Sequence, residues 1–146
     1  TSIESDSAAL HTLVAEMVAT TPSIHALRDP TRGGLATTLN ELARQSHVGM
    51  RIQETAIPVK AEVKGACELL GLDPLYIANE GKLVCIVPAK HAEHLLAVMQ
   101  KHSLAQHAAI IGSVCEDARQ MVVMETVFGG NRVVDWLAGE QLPHIC

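Results

Sequence analysis

Apolar residues recur along this chain with two different periods, and the switches between them mark out its elements. Leu10, Leu13, Val14, Met17 and Val18 fall at i, i+3, i+4, i+7 and i+8, which predicts an amphipathic helix over Ser7–Thr20. A Thr-Thr-Pro break follows, and Ile24–Leu27 is a short apolar approach to Gly33-Gly34. Leu35, Leu39, Leu42 and Ala43 share one side of a second predicted helix, Leu35–Ser46. Met50–Gln53 alternates as a strand does. Pro58 opens a third helix with Val63, Ala66, Cys67 and Leu70 as its buried stripe and Gly71 at its close. Leu83–Val87 is a continuous apolar run that predicts a buried strand. His91–His102 predicts a fourth helix with Ala92, Leu95, Leu96 and Met99 inward. Ala109–Val114, Met121–Val127 and Arg132–Trp136 predict strands, the last two joined through the turn residues Phe128-Gly129-Gly130-Asn131.

This order has no strict βαβ alternation. It predicts an α+β domain with helices packed against a mixed sheet. At 146 residues the chain is expected to form one domain, residues 1–138. The Gly- and Pro-punctuated end, residues 139–146, is expected to be a flexible tail.

Composition narrows the function classes. Aromatic residues make up 2% and the formal net charge is −5, so bases have few rings to stack on and phosphates no basic stripe to follow. No nucleic-acid partner is expected. No apolar run reaches membrane-spanning length. Thr1–Asp6 lacks the basic-then-apolar pattern of a signal peptide, and the missing initiator Met is read as processing or as the trailing part of a longer polypeptide. The four cysteines, Cys67, Cys85, Cys115 and Cys146, form no C-x-x-C pair, and the first three sit among apolar residues. That usage points to a reducing cytoplasm.

Three places carry candidate chemistry. Cys146 puts a thiol on the last residue, and a thiol on a tail can accept a group in one place and release it in another. Its neighbour His144 is two residues away, with no fixed geometry for activating it. In Arg28-Asp29-Pro30-Thr31-Arg32-Gly33-Gly34, two glycines precede a helix, so main-chain N–H groups can approach an anion while Arg28 and Arg32 add bidentate contacts. The plainer alternative there is a turn capped by Asp29 or Thr31. In Ala78-Asn79-Glu80-Gly81-Lys82, Glu80 is a possible proton acceptor at a strand entrance, or else a solvated turn carboxylate. His91 and His94 at i, i+3 could share a metal, but with no H-E-x-x-H pattern and no Cys nearby in sequence they read as surface histidines, and no metal-ligating residue is expected.

Taken together, Arg28–Ala36, Ala78–Leu83 and Gly139–Cys146 resemble the C-terminal domain of the HypE family, the carbamoyl dehydratases of hydrogenase maturation. These proteins belong to the superfamily of aminoimidazole ribonucleotide synthetase and selenophosphate synthetase. The ending expected of that family is Pro-Arg-Ile-Cys, and His144 holds the Arg position here. The resemblance implies a synthetase-like C-terminal domain whose tail ends in a carrier cysteine. It implies that the carbamoyltransferase HypF loads a carbamoyl group on Cys146 and that ATP, with Mg2+, drives its dehydration to thiocyanate. The cyano group then passes to iron on a HypC–HypD scaffold, for nickel–iron hydrogenase. On this reading Cys146 is the carrier and Glu80 the base, with Asn79 on the phosphate-facing side orienting substrate or metal-bound water. Arg28, Thr31, Arg32, Gly33 and Gly34 face phosphate. The family's N-terminal domain holds most ATP and Mg2+ ligands and forms a homodimer, so the present chain alone is expected not to hydrolyse ATP. Two rival readings are a nickel- or zinc-binding chaperone module using Cys146 and the histidines, and a structural regulatory domain of a related synthetase.

Overall fold

Helix α2, Gly34–Gln45, lies along a four-stranded mixed sheet in the computed structural model, which describes residues 5–136. The strands, in chain order, are β1 (Ala26–Arg28), β2 (Gly49–Gln53), β3 (Val84–Ile86), β4 (Gly112–Cys115), β5 (Val122–Glu125) and β6 (Asn131–Val134). The other helices are α1 (His11–Thr20), α3 (Ala61–Leu70) and α4 (Ala89–Lys101). The larger sheet runs β4-β2-β5-β6, with β2 and β5 parallel and the outer pairs antiparallel. The smaller one is an antiparallel β1–β3 ribbon.

Alternation along the strands explains the packing. Met50, Ile52, Val122, Met124 and Val134 point to one face of the large sheet and meet Ala36, Leu39, Leu42 and Ala43 of α2 in the main core. Gly49, Arg51 and Gln53 occupy the other register, and the last two are exposed. The ribbon divides its residues in the same way. Ala26, Val84 and Ile86 pack on the main core. Leu27 and Cys85 turn to a second core built by Leu13 and Met17 of α1 with Leu95 of α4. Both faces of β3 are therefore covered by apolar side chains, which is why Leu83–Val87 reads as unbroken apolar sequence.

Several expectations need correction. The mixed sheet is accompanied by a separate ribbon, and its strand β1 is formed by what reads as a loop approach. Strand β3 is half-buried rather than buried, because a two-stranded ribbon leaves its edges open. Helix α1 starts at His11, four residues after Ser7. Strand β6 stops at Val134. Leu70 is 70% exposed and Leu69 90%. Helix α3 packs mainly against the short 3-10 turn Pro74–Tyr76, so its apolar stripe runs past the surface available to cover it. Gly71 does close α3, at φ +67°.

Candidate functional site

Antiparallel pairing of β1 with β3 sets Arg28 opposite Val84. The loop leaving β1 and the segment entering β3 therefore occupy the same end of the ribbon. The main-chain N–H of Asn79 donates to the carbonyl of Pro30 over 3.0 Å and joins them. Gly34 is needed twice over at this junction. Its φ is +63°, and a Cβ there would lie 2.6 Å from the Leu75 carbonyl oxygen and 2.5 Å from that of Ile77. The loop thus nests on the Pro74–Tyr76 turn.

Helix α2 begins without a side-chain cap. Gly33, at φ +70°, is its N-cap, and neither Asp29 nor Thr31 supplies the cap that the plainer reading of this loop expects. The first turn carries no acidic residue. Such a terminus favours an anion through its N–H groups and the helix dipole. Around it, Thr31 is half-buried and its carbonyl accepts from the Gly34 N–H at 3.1 Å. Arg32 is exposed. Arg28 is paired with Glu41 of α2 at 2.7 Å, so its charge is partly balanced from within the domain.

On the facing segment, Glu80 is exposed. Asn79 is tied at each end of its amide. Its Nδ2 donates to the Ile77 carbonyl at 2.8 Å and its Oδ1 accepts from Lys82 Nζ at 2.7 Å. Lys82 also pairs with Asp6 at 3.1 Å. Sequence reading missed this lysine and aspartate, because only the fold brings them together across 76 residues.

The outgoing chain is fastened to the same elements. Asn40, buried in α2, donates to the Val134 carbonyl at 2.9 Å. The Tyr76 hydroxyl donates to the Asp135 carbonyl at 3.0 Å. The Arg44 guanidinium stacks over Trp136, 4.8 Å from the ring centroid. Asn40 was legible only as a polar residue inside an apolar helical stripe. Cys146, His144 and the expected boundary at residue 138 lie outside the described residues.

The histidines among the described residues are dispersed. His91 is half-buried and His94 exposed on α4. The His102 ring is engaged by Thr12 at 3.1 Å through Nε2 and accepts from the Leu104 N–H at 3.2 Å through Nδ1. Among the described residues no group of three or more His, Cys, Asp or Glu is placed to hold a metal ion. Burial pushes the Cys67 thiol up, and Asp73 and Glu68 add to the shift; burial alone does so for Cys85. Both stay protonated at neutral pH and are weak nucleophiles. A depression of about 400 Å3 on the far face of the large sheet, lined by Arg51, Gln53, Ser113 and Glu125, shares no residue with either segment. No helix among the described residues is long and apolar enough to cross a membrane.

Comparison with known proteins fits this arrangement to a family. Residues 1–125 match the family described as AIR synthase related protein, C-terminal domain. The chain belongs to that family. The resemblance to HypE proteins extends well beyond the three segments that suggested it. The carbamoyl dehydratase HypE of Azotobacter vinelandii is 64% identical over 144 residues, 99% of this chain and 42% of that protein. The crystal structure of hydrogenase maturation protein HypE in complex with ATP superposes with a TM-score of 0.90 at 52% identity, over 97% of this chain and 44% of that one. The HypE–HypF complex gives 0.89 at 42% identity, over 94% of this chain and 44% of that one. This AIR synthase related domain therefore spans less than half the length of the relatives it matches, and has their α+β fold.

Proposed function

We propose that the chain is the C-terminal part of an ATP-dependent carbamoyl dehydratase that makes the cyanide ligand of nickel–iron hydrogenase. The Cys146 sulfur is the carrier, loaded with a carbamoyl group by a HypF-type transferase. Phosphoryl transfer from ATP to the carbamoyl oxygen releases ADP. Removal of the two nitrogen protons and departure of phosphate then leave a thiocyanate on sulfur. The carbamoyl oxygen leaves on the phosphate, so the group loses the elements of one water. The cyano group goes on to iron on a HypC–HypD scaffold, in the cytoplasm, with the longer protein acting as a homodimer.

Each local group has a role in this scheme. Gly33 and the uncapped start of α2 offer N–H groups to phosphate, with Gly34 shaping the turn that faces it and Thr31, Arg32 and Arg28 around them. Glu80 takes the nitrogen protons. Asn79 shapes the turn that carries Glu80 and keeps one further N–H for substrate. Most contacts to ATP and Mg2+ belong to the N-terminal part of the longer protein.

The observation that carries the reading is the Asn79–Pro30 hydrogen bond, which joins the two segments the resemblance assigns to one site. The anchored exit at Asp135 and Trp136 supports it. Cys146 lies ten positions after Trp136, a reach of at most about 35 Å. The start of α2 lies roughly 15 Å along the helix axis from Arg44. In the longer protein, Cys146→Ser is expected to abolish cyanide delivery to iron while leaving the fold intact. Delivery that survives the substitution would refute the proposal.

A further inference from the structure

The turn carrying Glu80 is clamped by a strap from the start of the chain. Lys82 Nζ donates to the Asn79 side-chain carbonyl at 2.7 Å and to Asp6 Oδ2 at 3.1 Å. Asn79 in turn holds Ile77 through Nδ2 and Pro30 through its own N–H. Residues 6–8 lie directly on Gly81. A Cβ at that position would collide with the Asp6 carbonyl oxygen, and would sit 2.6 Å from the Asp6 carbonyl carbon and 3.0 Å from the Ala8 nitrogen. Those are main-chain atoms, which have no flexible end to swing aside, so only glycine lets the strap dock. The residues on either side of Glu80 are thus fixed, one through its amide and one through its missing side chain, while Glu80 itself stays exposed.

We propose that Lys82 is a positioning residue: with Asp6 it fastens residues 6–8 onto the turn and so holds Glu80 at the site. The proposal rests on the assignment of Glu80 as base. An exposed lysine–aspartate pair contributes little to overall stability. Its second bond, to a neutral carbonyl inside a turn, instead fixes local geometry. A carboxylate that must take a proton from a small bound group needs its turn held to within a fraction of an ångström. Lysine suits the task because its ammonium carries three donors and can serve Asp6 and Asn79 at once.

The test uses the full-length dehydratase with four substitutions in this part: Lys82→Met, Lys82→Arg, Gly81→Ala and Glu80→Gln. Amide exchange of residues 79–82 is read by mass spectrometry, and the single-turnover conversion of carbamoylated Cys146 is followed separately. Lys82→Met and Gly81→Ala are expected to speed that local exchange about tenfold, the loss of one charge-assisted hydrogen bond or its equivalent. Both are expected to slow conversion by a similar factor with KM for ATP unchanged. Lys82→Arg, which keeps the charge and several donors, restores both. Wild-type exchange in Lys82→Met, or faster exchange with an unchanged conversion rate, overturns the proposal. Should Glu80→Gln convert at the wild-type rate, the base assignment fails and the role given to Lys82 fails with it. A clamp failure is told apart, because it appears in the exchange data whatever Glu80 does.

Discussion

The Asn40 side-chain amide bonds the Val134 carbonyl at 2.9 Å and the Ala36 carbonyl at 2.9 Å from a position only 4% exposed. One buried group thus fastens the last strand to the helix that opens at the candidate site. Asn40→Ala leaves a buried carbonyl without its donor and is expected to cost about 1–3 kcal/mol, read as a lower midpoint in urea. Asn40→Asp, with acceptors facing acceptors, should cost more. Equal stability of Asn40→Ala and the parent chain would remove this link from the account.

Gly34 and Gly71 separate strain from collision. Both have positive φ, but a Cβ at Gly71 meets nothing within 4 Å while one at Gly34 meets the Leu75 and Ile77 main chain. Gly71→Ala is expected to cost about 1 kcal/mol, the backbone term alone. Gly34→Ala should cost at least twice that and also disturb the junction between the loop and the Pro74–Tyr76 turn. Denaturant titrations of the two variants side by side check the order.

Tyr76 gives a pH test, because it is the only tyrosine in the chain. Burial pushes its phenol above the ordinary value near 10, with Arg132 opposing and Asp73 and Asp135 adding to the shift. The folded value is raised, so this contribution to stability is whole below the unfolded value and is lost as pH rises through the folded one. Ultraviolet difference absorbance is expected to place the phenolate midpoint above that of a free tyrosine. The alkaline loss of stability should be shallower in Tyr76→Phe than in the parent chain. A phenol titrating at or below its ordinary value would contradict the burial of the Tyr76 ring.

The 146-residue chain by itself is expected to show no ATP turnover. Phosphate release measured with Mg-ATP should stay at the buffer rate, and should rise when the chain is joined to the N-terminal part of the longer protein. Turnover by the chain alone would place the whole nucleotide site within it.

Elements with many residues in register were legible from sequence. Leu35, Leu39, Leu42 and Ala43 marked α2 to within a residue at each end, and Met50–Gln53 marked β2. Strand β1 was not, since three residues are too few to show a period and its partner lies far along the chain. Leu70 was misread for a related reason: periodicity says which face a residue shares, not whether another element reaches far enough to cover it. The residues of the two candidate segments were visible through their glycines and charges. Their meeting depends on the β1–β3 register, and Lys82–Asp6 and Asn40–Val134 depend on contacts 76 and 94 residues apart. No local pattern encodes those.

The most direct test is the mass of the C-terminal peptide bearing Cys146, taken from the full-length protein after reaction with the carbamoyltransferase and its substrates. Before ATP is added, the account predicts one carbamoyl adduct on Cys146. With ATP, that adduct should become lighter by one water as the cyano group forms, and Glu80→Gln should stall it at the carbamoyl stage. An unmodified Cys146, or an adduct carried by Cys67, Cys85 or Cys115 instead, would contradict it.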